Sequence, residues 1–144
     1  MNKKVIQEFN PESPKAKTRY DPATYNNMRP SWCFRACDEE LWNFSAENFM
    51  NDILPKLKEF ETQTWNEILI RGKKNNHSID SEKLNKVARE RLEKLKVEAA
   101  SIISLRLSAT HRLYGYRIDG VYYILWYDNN HGDNSTCVCR SRKK

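Results

Sequence analysis

Residues 102–128, IISLRLSATHRLYGYRIDGVYYILWYD, constrain the fold more than any other stretch of the chain. Apolar and polar side chains alternate along them, which is the two-residue period of a half-buried strand. Asp119–Gly120 falls between two such runs and is a two-residue hairpin signal. Ser104–Ser108, His111–Ile118 and Val121–Asp128 are therefore expected as three consecutive antiparallel strands. The middle strand carries Arg112, Tyr114, Tyr116 and Arg117, and Arg106 lies on the strand before it. A basic, tyrosine-bearing sheet suits a polyanion, and RNA before others.

The remaining chain reads as helices and loops. Residues 1–30 hold Pro11, Pro14, Pro22 and Pro30 without any periodic pattern and read as an extended arm. Trp32–Cys37 (WCFRAC) is a short strand candidate with Trp32, Phe34 and Ala36 on one face. Ser45 caps a helix with the stripe Phe49, Ile53, Leu57 and Phe60, and Pro55 either kinks it or starts its second half. Thr64 and Glu67 form a capping box for Trp65–Ile70, which Gly72 would end in left-handed conformation. Arg71–His77 is a basic loop. Asp80 or Ser81 then opens a helix to about Lys96, with Leu84, Val87, Ala88, Leu92 and Leu95 as its stripe and Arg91 beside it. The fold class is α+β: an arm and short strand, two to three helices, then the meander as a small sheet. One domain is expected over residues 31–136, between the arm and a basic tail at 137–144.

The charge is uneven. Residues 1–72 hold 10 basic and 11 acidic side chains, a net of −1, whereas residues 73–144 hold 15 and 8, a net of +7. A phosphate-seeking face belongs to the second half. No run approaches the length of a membrane span and Met1–Asn10 is polar, so the expectation is no membrane association and a cytoplasmic address, with Cys33, Cys37, Cys137 and Cys139 reduced. The spacings Cys33-x₃-Cys37 and Cys137-x-Cys139, even with His77, His111 and His131, are not the two-residue knuckle of structural zinc sites, and no metal or other cofactor is expected. Walker loop, GxGxxG, HExxH and GxSxG patterns are absent from the sequence, which disfavours nucleotide cofactors, zinc proteases and hydrolase triads.

A strand, two helices and a three-strand meander resemble the architecture of the RelE/ParE superfamily of small bacterial toxins. The matching segments are Leu105–Leu107 (LRL), Arg112–Ile118 (RLYGYRI) and Val121–Asp128 (VYYILWYD). The chain departs from the family in its long arm and in the polar tail after Asp128. The resemblance implies an mRNA-cleaving endoribonuclease, acting on RNA that is held on the ribosome in many family members and restrained by an antitoxin protein. In that chemistry the 2′-hydroxyl attacks its own phosphate, which needs a base, a cation on the phosphorane and an acid for the leaving oxygen. His131, His111, Arg112 and Tyr114 are the catalytic candidates, and Arg106, Arg117, Arg140, Lys73 and Lys74 the candidates for holding the nucleic acid. The alternatives are a non-catalytic phage or plasmid accessory protein that grips nucleic acid or a protein partner, and the gyrase-directed branch of the same superfamily. The duller alternatives are His131 as a turn residue, His111 as a local hydrogen-bonder, and one of the three arginines as a structural ion pair.

Overall fold

A computed structural model describes residues 25–131 and Val138. Most of the arm, Cys137, Cys139 and Arg140 lie outside the described residues.

The meander is present, but as three strands of a five-stranded mixed sheet. The strands are β1 (Ser31–Cys33), β2 (His77–Asp80), β3 (Ser101–Arg106), β4 (Arg112–Ile118) and β5 (Val121–Asp128), in the order β1-β5-β4-β3-β2. β1 runs parallel to β5, Trp32 opposite Tyr122, and the other neighbours are antiparallel. Asp119 supplies the positive φ of 59° that the β4–β5 turn requires. No helix among the described residues is long and apolar enough to cross a membrane.

Both faces of the sheet are covered. On one lies α1, a helix in three consecutive segments, Ala46–Asn48, the π-helical Phe49–Ile53 and Leu54–Phe60. Ser45 and Asn48 close its capping box with two 3.0 Å bonds. The π-helical stretch ends just before Pro55, which has no N–H to offer an α-helical ladder. A π-helical turn, α2 (Glu67–Arg71), follows the reciprocal Thr64–Glu67 cap. Ile53, Leu57, Phe60, Trp65 and Ile68 pack with Ile103, Leu105, Leu113, Tyr122 and Ile124. On the opposite face α3 (Lys86–Leu95) packs Ala88 and Leu92, with Leu84 before it, on Ile102, Tyr114, Leu125 and Trp126. A bulge makes Leu125 the extra residue between the pairs Tyr114–Trp126 and Gly115–Ile124, so Leu125 and Trp126 both turn toward α3.

Four expectations need correction. The small three-strand sheet omits β1 and β2, and β2 arises from HSID, where the single apolar Ile79 gives too short a run to show its period. The third helix starts at Lys86, not at Asp80 or Ser81, because Asn85 takes the cap by accepting from Ala88 N at 2.8 Å. Val87 consequently lies 100° around the helix from Ala88 and is 47% exposed, while Arg91 is buried. Trp32–Cys37 is a strand only to Cys33: the chain turns there, Cys37 N donating to Phe34 O, and Phe34 stays outside while Trp32 and Ala36 join opposite cores. Gly72 ends α2 at φ −95°, not left-handed; its lack of a side chain serves space, since a Cβ would meet Ile68 O at 2.7 Å.

A paired substitution checks the face of α3. Leu92→Ala should cost about 2–5 kcal/mol, as buried leucine truncations do. Val87→Ala should stay within about 0.5 kcal/mol of wild type. Equal losses by urea denaturation would mean that the helix is rotated from the orientation described.

Candidate nucleic-acid interface

The register of β3, β4 and β5 builds a polar row at one end of the sheet. Arg112 opens β4 opposite Arg106, the last residue of β3, and opposite Asp128, the last of β5. Residues directly opposite in antiparallel strands point to the same face, here the α3 side. The next row is His77, Ser104, Tyr114 and Trp126. His131 is returned to this corner by the turn after β5, where Asp128 Oδ1 accepts from Asn130 N at 2.8 Å and Oδ2 from Val138 N at 2.9 Å. The backbone of His131 is fixed as well, its N donating to Thr110 O at 2.9 Å. Its Nδ1 lies 3.4 Å from Tyr114 Oη.

The electrostatics follow from this crowding. Burial pushes the His131 imidazole below the ordinary histidine range, and Arg112, His77 and Arg106 push it further, against the pull of Asp128. His131 is therefore neutral at pH 7. Burial chiefly, with Asp128, drives the Tyr114 phenol well above its usual range despite its bond to Ser104, so it remains a hydroxyl. Arg112 is committed to the chain. Its Nη1 donates to the carbonyls of Ser108, His111 and Ala109, closing the turn before β4.

Arg106 is exposed and held at one point, Nη1 donating to Asn75 Oδ1 at 3.1 Å. Its backbone N donates to Asn76 Oδ1 at 2.8 Å. These bonds staple the loop after α2, which carries the exposed Lys73 and Lys74, to the end of β3. His131, Arg112, Tyr114 and Arg106 thus come together, and Lys73 and Lys74 precede the Asn75–Asn76 stretch that is bonded to Arg106.

His111 and Arg117 do not join them. His111 lies on the other face, its ring 5.7 Å from that of Tyr127. Arg117, five residues after Arg112, also faces α1 and α2, over the Trp65 ring at 5.3 Å and bonded to Asn26 at 2.8 Å. Tyr116 stacks with Tyr123 at 5.0 Å, away from the corner. Among the described residues no His, Cys, Asp and Glu group could hold a metal ion, and burial, ahead of Cys33 and Glu39, pushes the Cys37 thiol up to about 11. Three residues of the corner, His77, Ser104 and Asp128, were not legible as functional; only the strand register assembles them. Compared with known proteins, the chain matches no family model, no curated protein and no solved structure.

Proposed function

We propose that this chain binds RNA at the Arg106 corner and cleaves it there, as an endoribonuclease of the toxin kind that the RelE/ParE resemblance implies. The observation that carries the reading is the neutral His131 imidazole seated in a cationic corner. With Nδ1–H on Tyr114 Oη, the lone pair lies on Nε2 and takes the proton of the 2′-hydroxyl. The 2′-oxygen attacks phosphorus, the P–O5′ bond breaks, and the leaving 5′-oxygen needs a proton. His77, in the same cross-strand row as Ser104 and Tyr114, is the group assigned to supply it. Arg106, Lys73 and Lys74 hold phosphates, and the fixed Arg112 charge favours the phosphorane. An antitoxin protein covering this basic corner would be acidic.

A specific feature favours a second reading, a non-catalytic accessory protein that grips nucleic acid. Arg112 and Asp128 are both spent on backbone groups, so the corner commits fewer side chains to chemistry than to its own turns.

RNA incubation separates the two readings. Wild type, alone or with translating ribosomes, should leave 2′,3′-cyclic phosphate ends, and His131→Ala should lower the cleavage rate by about 100-fold or more while still binding. The wild-type rate should fall on acidification, and at a lower pH than an ordinary histidine base would give, as a base with a depressed pKa becomes protonated. Arg106→Ala should lower the salt slope of binding by about one unit. RNA bound but left whole in every condition would assign the binding role; no binding and no salt dependence would remove both.

A further inference from the structure

β3 and β4 pair from Arg106–Arg112 to Ile103–Gly115 and no further. Both strands continue, β3 back to Ser101 and β4 on to Ile118. The sheet is split at that end, and a cleft of about 610 Å³ opens there. Ser101 and Ile103 line it from β3, Arg117 and Ile118 from β4, with Leu69 of α2 and Asn26 completing the wall. This is the opposite end of the strands from Arg106 and Arg112.

A guanidinium group is held at the wall of this cleft. The Trp65 ring lies beneath it and Asn26 Oδ1 accepts from Nη2, which fixes its plane. The other terminal nitrogen, Nη1, is buried and has no hydrogen-bond partner among the described residues. Buried polar atoms are almost always paired, and a cationic donor left without an acceptor is costly. Burial disfavours the Arg117 charge more than Asp119, acting through space, relieves it. The remaining wall is mixed. Ser78 Oγ stands 3.3 Å from Ser101 Oγ, and Lys96 and Glu98 add one charge of each sign, which leaves Arg117 as the net cation of the wall. Leu69, Ile103 and Ile118 are apolar. A cleft of several hundred Å³ with mixed walls and one convergent guanidinium has the size of a small-molecule site.

We propose that the cleft between the split ends of β3 and β4 binds a small organic oxyanion, a carboxylate or phosphate monoester whose oxygen accepts from Arg117 Nη1 while its apolar body lies on Leu69 and Ile103. A bare inorganic anion would satisfy the guanidinium but leave most of the volume unfilled. The site is separate from the RNA corner and does not depend on it.

Calorimetric titration with benzoate and with phenyl phosphate tests the assignment, because the two share a ring and differ in the acidic head. One or both should bind one-to-one with a Kd of about 1 mM or tighter. Benzamide, which has the ring without the charge, should bind at least about tenfold more weakly. Arg117→Gln should lose the same factor, and His131→Ala none. Ser78→Tyr, on the β2 edge strand, narrows the cleft without touching the guanidinium and should also lose binding; it keeps the test decisive if Arg117→Gln does not fold. Benzamide binding as well as benzoate, or wild-type affinity in Ser78→Tyr or Arg117→Gln, would overturn the proposal. So would the failure of both anions to bind, which would leave water as the partner of Nη1.

Discussion

Asp38→Ala should lower the stability of this domain by about 3–5 kcal/mol, the cost of leaving a buried charge without its partner. Against a total of about 5–15 kcal/mol for a native domain, that is a large fraction. Asp38 is 1% exposed. Its two oxygens accept from Arg91 Nη2 at 2.7 Å and Nε at 2.8 Å, the parallel fork that a guanidinium offers a carboxylate. Trp126 Nε1 donates to it at 3.0 Å, and the amides of Glu40 and Leu41 close a turn on it. One carboxylate thus ties the loop after β1, helix α3 and strand β5 together. Its removal strands Arg91, whose remaining carboxylate, Glu40, is mostly exposed. A double variant, Asp38→Leu with Arg91→Leu, should cost less than the two single changes added together, because neither charge is then left alone. Additive losses in urea denaturation would show that the pair is not coupled.

The same carboxylate sets an acid limit. Burial alone would raise its pKa, but the bonds from Arg91, Glu40 N, Trp126 and Leu41 N outweigh it and hold the group below its usual 3.8. A depressed folded-state pKa stabilises above the unfolded value and is lost as pH falls through the folded one. The difference between wild type and Asp38→Ala should therefore be complete at pH 7 and narrow once pH drops below about 4. A constant difference at all pH values would mean that the carboxylate is not bound in its charged form.

How much of this was readable in the sequence depends on how far apart the partners lie. Ser45 with Asn48, Thr64 with Glu67, and Asp119–Gly120 are local devices, and local chemistry is visible in a short window. The burial of Trp65 and Trp126 and the opposed directions of Tyr122 and Tyr123 follow equally from short-range rhythm. Asp38 and Arg91 stand 53 residues apart, and only the packing of α3 across β5 brings them together. Arg91 did carry a trace, as a cation set among Ala88, Leu92 and Leu95. β2 carried none, since four residues with one apolar side chain look like loop. For the candidate site, parity along β4 sorts the residues. Arg112 and Tyr114 differ by two and share a face, whereas Arg112 and Arg117 differ by five and must point apart. The three arginines therefore divide between two sites. His77 entered the corner only through its register with Ser104, which no sequence pattern specifies.

Gly115→Ala should be the most damaging change of a single methyl group, costing about 3 kcal/mol or more, at or beyond the upper end for overpacking. A Cβ at this position would lie 2.2 Å from Tyr123 O and 2.8 Å from Tyr122 Cζ. Neither neighbour can yield cheaply. The first is backbone of β5, and the second belongs to a fully buried ring whose hydroxyl donates to Ile103 O at 2.8 Å. The close approach comes from the bulge: β5 carries Leu125 as an extra residue beside Gly115, and the strand bends inward at that point. Both cores depend on it, because the same extra residue turns Leu125 toward α3 while Ile124 stays on the α1 side. The corner holding His131 lies one pair further along the strands, so Gly115→Ala should loosen Tyr114 as well as lower the melting temperature, and on the proposed function it should also weaken RNA cleavage. Gly120→Ala is the control. Its nearest neighbour would be Met28 Sδ at 3.5 Å, ordinary contact with a flexible side chain, and it should cost no more than about 1 kcal/mol. Equal melting temperatures for the two variants would show that β4 and β5 do not meet in this register, and the placement of Arg112, Tyr114 and Asp128 in one corner would fail with it.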